Sequence, residues 1–167
     1  IYAYRNKVQF PVQAQNGKAA AGFYRAGSHT VIPITNCLIQ PESAGKIREA
    51  VLDWMRQEKI TAYDEKSHKG VVRHIYLRCG KVTGEILVCL VVNCDRLSQK
   101  ESLVRMLLAR EPAICSIVVN YNTKKSNVIL GERFETLYGS GTMEDELLGL
   151  RFCLSPAAFY QVNHDQA

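Results

Sequence analysis

The hydrophobic pattern divides the chain into stretches of two kinds. Residues 4–12, YRNKVQFPV, mix β-branched and aromatic side chains with polar ones, as a half-buried strand does. Asn16-Gly17 predicts a tight turn, after which AAAGFYR returns as the second strand of a hairpin. GSHTVIPI reads as a third short strand, so the opening block is expected to be a small antiparallel meander, with Pro11 at a sheet edge or strand end. The period then changes. In PESAGKIREAVLDWMRQEK, Ala44, Ile47, Val51, Trp54 and Met55 recur near every 3.6 residues behind Pro41, which predicts an amphipathic helix.

YDEKSHKG is a polar connector. VVRHIYLRC and EILVCLVV, joined through GKVTG, predict two core strands whose imperfect alternation fits a sheet covered by helices. SQKESLVRMLLAR predicts the second helix, with Ser98 as its cap, Glu101 at the capping-box spacing, and Leu103, Leu107 and Leu108 on its apolar side. CSIVVNYN, short strands around Gly131 in NVILGERFETLYG, and GLRFCLSP ending at Pro156 complete the pattern. Helices at two separated places among many short strands predict an α+β fold.

Composition narrows the class. A chain of 167 residues, 47% hydrophobic and 22% charged, is one domain with ample core, with or without a small appendage. It has no run near the roughly 18 apolar residues that a membrane span needs, and no basic-then-apolar leader opens it. The net charge of +5 is unevenly placed: residues 1–41 hold Arg5, Lys7, Lys18 and Arg25 but no Asp or Glu. Such a region suits a polyanion, and it equally suits a solvated sheet face. Six cysteines without a CxxC motif, several inside apolar runs, point to small hydrophobes in a reducing, cytoplasmic setting.

Little in the sequence predicts catalysis. GxSxG, P-loop, HExxH and dinucleotide motifs are absent, and the four histidines lack metal-ligand spacing. His74, within a strand pattern, reads as structural. Glu144, Asp145 and Glu146 read as a wet turn. Tyr4, Arg5 and Lys7 place an aromatic beside cations, a combination that holds single-stranded nucleic acid and also occurs on ordinary strands. At the other end, Phe159 and Tyr160 can pack on a planar ligand while Gln161 and Asn163 hydrogen-bond; burial of Phe159 in a domain boundary is the alternative. Both ends are abrupt and Ile1 is not an initiator Met, so a piece of a longer polypeptide is expected.

YRNKVQFPV, GFYRAGSHTVIPITNC, VVNYNT, LGERFETLYG and SPAAFYQVN follow one another in this order. In that order and spacing the chain resembles the bacterial RNA uracil-5-methyltransferases, nearest the 23S ribosomal RNA enzymes, with the transfer-RNA enzymes as the alternative. The resemblance implies a central domain over residues 1–154 and, over 155–167, the start of a Rossmann-like methyltransferase domain. It implies S-adenosylmethionine as cofactor with Gln161 and Phe159 beside it, and RNA near Arg5 and Lys7. It also implies that Cys37 is one of four cysteine ligands of a [4Fe-4S] cluster, the others lying upstream of Ile1. The nucleophilic Cys and the proton-abstracting Glu of the family fall outside this chain, so no catalytic residue is assigned within it, and the chain alone is expected to be inactive. A noncatalytic RNA-binding module and an interdomain scaffold are the competing readings.

Overall fold

The structure, a computed structural model, describes residues 2–166. Its elements run in the order β1 (Lys7–Gln15), β2 (Lys18–Tyr24), β3 (Val31–Pro33), α1 (Glu42–Gln57), β4 (Val72–Cys79), β5 (Ile86–Val92), α2 (Lys100–Arg110), β6 (Ile114–Tyr121), β7 (Arg133–Tyr138), β8 (Met143–Leu147) and β9 (Leu150–Leu154). A short 3-10 turn, His164–Gln166, follows. This is the expected α+β fold. Its seven-stranded sheet has the order β3-β2-β1-β4-β5-β6-β7, and β8-β9 form a separate hairpin. The sheet is antiparallel except where β5 and β6 run parallel, with α2 as the crossover between them.

Each face of the sheet has its own cover, which explains why β4 and β5 are buried almost throughout. Val8, Phe10, Ile75, Leu77, Val88, Leu90, Ile117 and Val119 face the two helices, where Ile47, Val51, Trp54, Leu103 and Leu107 complete the core. The intervening side chains, Tyr76, Leu87, Cys89 and Val118, face the other way and pack with Met143 and Leu154 of the hairpin and with Tyr160. The helices thus account for one face only, and the hairpin for part of the second.

Local chemistry accounts for most boundaries. Asn16 and Gly17 both take positive φ, 50° and 76°, and close the β1-β2 turn; Leu148 and Gly149 do the same between β8 and β9. Pro41 precedes α1 with an extended backbone, and the buried positions of that helix recur at helical spacing. Four expectations fail. Pro11 lies inside β1, at the point where its partner changes: Lys7–Pro11 pair with β4, and Val12–Gln15 pair with β2. The missing N–H falls at this handover instead of at a sheet edge. Ser98 does not cap α2; the cap position is Gln99, in a left-handed conformation with no side-chain cap bond. Trp54, fully buried in α1, donates its indole N–H to the Gln99 carbonyl at 3.1 Å, so a tertiary contact and not Ser98 sets where α2 begins. Finally, Glu144–Glu146 lie on β8 and form no turn, and around Gly131 a single strand forms, after it.

Two of the motif segments prove to be neighbours held together by buried amides. The Asn120 side chain accepts from the Gly131 amide at 2.7 Å and donates to the Gly131 carbonyl at 3.0 Å, while Asn122 donates to the Val128 and Ile129 carbonyls. Arg73, also buried, donates to the carbonyls of Asn122, Lys124 and Ser126 and lies over the Tyr63 ring at 4.5 Å. Beside it, His74 is 8% exposed. Burial, aided by the Arg73 charge and opposed by Glu65, lowers its pKa to about 4.

A neutral His74 therefore contributes stability that is complete above its unfolded value near 6.5 and is lost as pH falls towards 4. Urea unfolding at pH 7 and pH 4.5 is expected to show a loss of about 2 kcal/mol that is absent in His74→Gln. An equal loss in both proteins would assign the acid sensitivity to other groups.

Candidate functional site

The last described segment lies across the sheet and is held at nearly every second residue. Arg78, on β4 and 3% exposed, donates to the Pro156 carbonyl from Nε and Nη2, each at 3.3 Å, and from Nη2 to the Ala158 carbonyl. Asn6 donates its side-chain N–H to the Gln161 carbonyl at 2.6 Å and its backbone N–H to the Val162 carbonyl at 3.1 Å. Arg5 and Asn163 form an antiparallel bridge, and His164 Nε2 lies 2.6 Å from the Glu146 carbonyl. Carbonyls of the segment are thereby satisfied by donors from β4 and from the residues leading into β1, and the segment's His164 reaches a carbonyl of β8.

Between these contacts Tyr160 turns inward. It is 8% exposed, packs against Phe152 and donates its hydroxyl to Asp145 Oδ2 at 3.2 Å. Asp145 is fully buried. It also accepts from the backbone N–H groups of Lys81 and Val82, at 3.1 and 3.0 Å, fixing the β4-β5 turn against the hairpin. Burial first, and the Asp145 charge second, push the Tyr160 phenol up to about 12, so it remains a donor. A carboxylate with three donors offsets much of its desolvation cost, which an unpaired one does not.

Because Tyr160 points in, its neighbours point out. Phe159 is 86% exposed and Gln161 is exposed beside it, on the open side of the same extended run. Burial of Phe159 in a domain boundary does not occur within this chain, and Tyr160, read from sequence as a partner for a planar ligand, is occupied with Asp145. An outward aromatic and an outward amide two residues apart form a ledge that suits a flat, hydrogen-bonding ligand such as an adenine ring.

The cations expected to meet RNA stand next to this ledge. Arg5 is joined to it through Asn163, and Lys7 pairs in register with Arg78. Burial, then the Arg78 and Arg5 charges, hold the Lys7 pKa below the usual lysine value. Among the described residues neither Arg5 nor Lys7 has a carboxylate partner, and the cluster is relieved of its own repulsion when an anion arrives. Both side chains line a cavity of about 300 Å³ with Gln9, Phe23, Ile39 and Gln40.

Cys37 is half-buried, accepts no disulfide, and lines a neighbouring cavity of about 430 Å³ with Asn36, Glu42 and Arg48. Cys89 is buried and Cys79 half-buried, and desolvation of its sulfur pushes each thiol up to about 12, while Cys153 is exposed on β9 instead of packed as a small hydrophobe. Among the described residues no three His, Cys, Asp or Glu side chains gather as metal ligands. A [4Fe-4S] cluster needs four thiolates, so these residues do not form a cluster site by themselves. Among the described residues, no helix is long and apolar enough to cross a membrane.

No family model matches the chain. Over 165 residues it is 39% identical to an uncharacterized RNA methyltransferase of Bacillus cereus, a match covering 99% of this chain and 36% of that protein. Over 162 residues it is 42% identical to another uncharacterized RNA methyltransferase, from Clostridium acetobutylicum, covering 97% and 35%. The chain is thus a homologue of these proteins and spans about a third of their length. The fold matches the crystal structure of the Pyrococcus abyssi tRNA (uracil-54, C5)-methyltransferase in complex with S-adenosyl-L-homocysteine, with a TM-score of 0.79 at 23% identity, over 99% of this chain and 39% of that one.

Arg78 and Asn6 went unnoticed in the sequence, and Asp145 was read there as part of a wet turn. No local signal marks the role of Asp145, since its two backbone donors come from residues 63 and 64 positions away. Asp145→Asn is expected to lower stability in urea by about 2–4 kcal/mol, because an amide cannot accept both turn N–H groups and the phenol. Tyr160→Phe, which removes one donor, should cost about 1–2 kcal/mol. Equal costs for the two would deny Asp145 its hold on the turn.

Proposed function

We propose that this chain is the central part of an S-adenosylmethionine-dependent RNA methyltransferase that acts at uridine C5. Residues 1–154 form its central domain, and residues 155–167 lead into the domain that carries the chemistry. The observation that carries this reading is the junction itself. The Phe159–Gln161 ledge and the Arg5–Lys7 cluster belong to one clamped unit, joined by the Arg5–Asn163 bridge. Homology to proteins named as RNA methyltransferases supports the reaction class, and the fold of a uracil-C5 enzyme supports the target atom.

S-adenosylmethionine, when bound, supplies an electrophilic methyl group. This chain's contribution is to hold and orient. Phe159 offers a face for the adenine ring or the target base, Gln161 offers an amide for hydrogen bonds, and Arg5 and Lys7 hold phosphates nearby. Uridine C5 and C6 are hidden in a stacked duplex, so the RNA presents an unpaired or flipped base. Neither a nucleophile for C6 nor a base for the C5 proton is assigned here: the Cys79 and Cys89 thiols are held protonated by burial.

The expected preference for 23S ribosomal RNA has less support than the alternative. The named substrate of the structurally similar archaeal enzyme is transfer RNA, whereas the bacterial relatives' names leave the RNA open. Transfer RNA is therefore the first substrate to test, and a cytoplasmic location follows from either RNA. A [4Fe-4S] cluster with Cys37 among its ligands remains a proposal for the longer protein, without a step assigned to it.

The test is to supply the full-length gene product with labelled S-adenosylmethionine and, separately, unmodified transfer RNA and 23S ribosomal RNA, and to map the labelled nucleoside. Label is expected in 5-methyluridine, from transfer RNA. Label in another nucleoside, or none from either RNA, would overturn the assignment.

A further inference from the structure

The cavity beside β1 is shaped by the same partner change that places Pro11. Because β2 leaves β1 before Val12, residues 7–11 pair with β4 alone, and their other side opens into the space of about 300 Å³. That volume stands at the small end of ligand pockets. Its lining is chemically one-sided. Arg5, Lys7, Gln9 and Gln40 contribute side chains for which no protein partner is found among the described residues, although Gln40 is only 8% exposed. Among the described residues no carboxylate lines the space. The neighbouring cavity differs: there Glu42 pairs with Lys46 and Glu49 with Arg48, so its charges are already spent.

The apolar part of the lining is Ile39 and Phe23. Phe23 packs on Phe10, with centroids 5.9 Å apart, and is still 37% exposed. A half-open aromatic ring, two amides and two cations around one small space match the parts of a nucleotide. The ring stacks a base, the amides meet its polar edge and the cations hold its phosphate. The Gln40 amide is not among the buried polar atoms left without a partner, so it opens to the space, where it can meet a base edge.

We propose that this pocket binds one unpaired nucleotide of the RNA, separate from the base that is methylated, with Phe23 stacking its base and Gln9 and Gln40 reading its edge. The proposal rests on the RNA reading above and adds a second point of sequence recognition to it. Arg5 links the two, since it lines the pocket and is bridged to the ledge.

The experiment measures binding of the 167-residue chain to a fluorescent single-stranded oligouridylate, and to the same oligonucleotide with abasic positions, over a range of salt. Phe23→Ala and Phe23→Leu are expected to weaken oligouridylate binding about tenfold and to leave abasic binding within about twofold. Arg5→Ala and Lys7→Ala should weaken both and lower the salt slope by about one each. If the Phe23 variants match the parent on both probes while the cation variants weaken both, the pocket is overturned and the RNA reading stands. If the cation variants also bind as the parent does, or the parent does not bind, both fall. Hydrogen exchange of the full-length protein is the second readout. Protection of residues 7–10 and 39–40 that is greater in the full-length protein than in the 167-residue chain, before RNA is added, would mean that further polypeptide fills the space, and would overturn the pocket.

Discussion

The arrangement depends on one constraint: buried carbonyls and N–H groups on the second face of the sheet must find partners away from water. The helices cover the first face with hydrocarbon and ask nothing polar of it. On the second face the Pro156, Ala158, Gln161 and Val162 carbonyls and the Lys81 and Val82 N–H groups all need partners. Arg78, Asn6 and Asp145 supply them. With those three in place the segment is held at Pro156, Ala158, Gln161 and Val162, and Tyr160 is left to turn inward between them. Exposure of Phe159 and Gln161 follows from the burial of Tyr160 between them.

The same constraint brings together groups of opposite purpose. Among the described residues Arg78 is buried without a carboxylate partner, and its charge, added to those of Arg5 and Lys7, makes this corner of the sheet cationic. An isolated protein gains nothing from such a corner, whereas an RNA-binding one gains a phosphate site beside an aromatic ledge. Burial first, and the Arg78 and Arg5 charges second, hold the Lys7 pKa down, which fits the phosphate role proposed for it.

What could be read from the sequence was the part governed by local periodicity and turn chemistry. The 3.6-residue recurrence from Ala44 to Met55 and the Asn16-Gly17 turn are decided within a few residues, and both form where expected. Failures came where distant residues decide. Ser98 has the right chemistry for a cap, but the indole of Trp54 captures the next carbonyl and moves the helix start. The acidic run 144–146 looks like wet surface until a turn more than 60 residues away delivers two N–H groups to its middle member. Phe159 and Gln161 drew notice as residue types, and only the resemblance suggested a cofactor role for them. Phe23 and Gln40 have no sequence signature, since only the departure of β2 from β1 opens the space they line.

The central claim is that the terminal segment is as firmly held as the sheet it crosses, and native-state hydrogen exchange measures this directly. The Asn6 amide donates to the Val162 carbonyl, while the Cys79 amide donates to the Asn6 carbonyl within the sheet. Protection of the Asn6 amide within about tenfold of that of Cys79 is the expected result. Exchange of Asn6 near the unfolded rate, with Cys79 still protected, would mean that residues 156–163 lie loosely on the surface and that no ledge is presented.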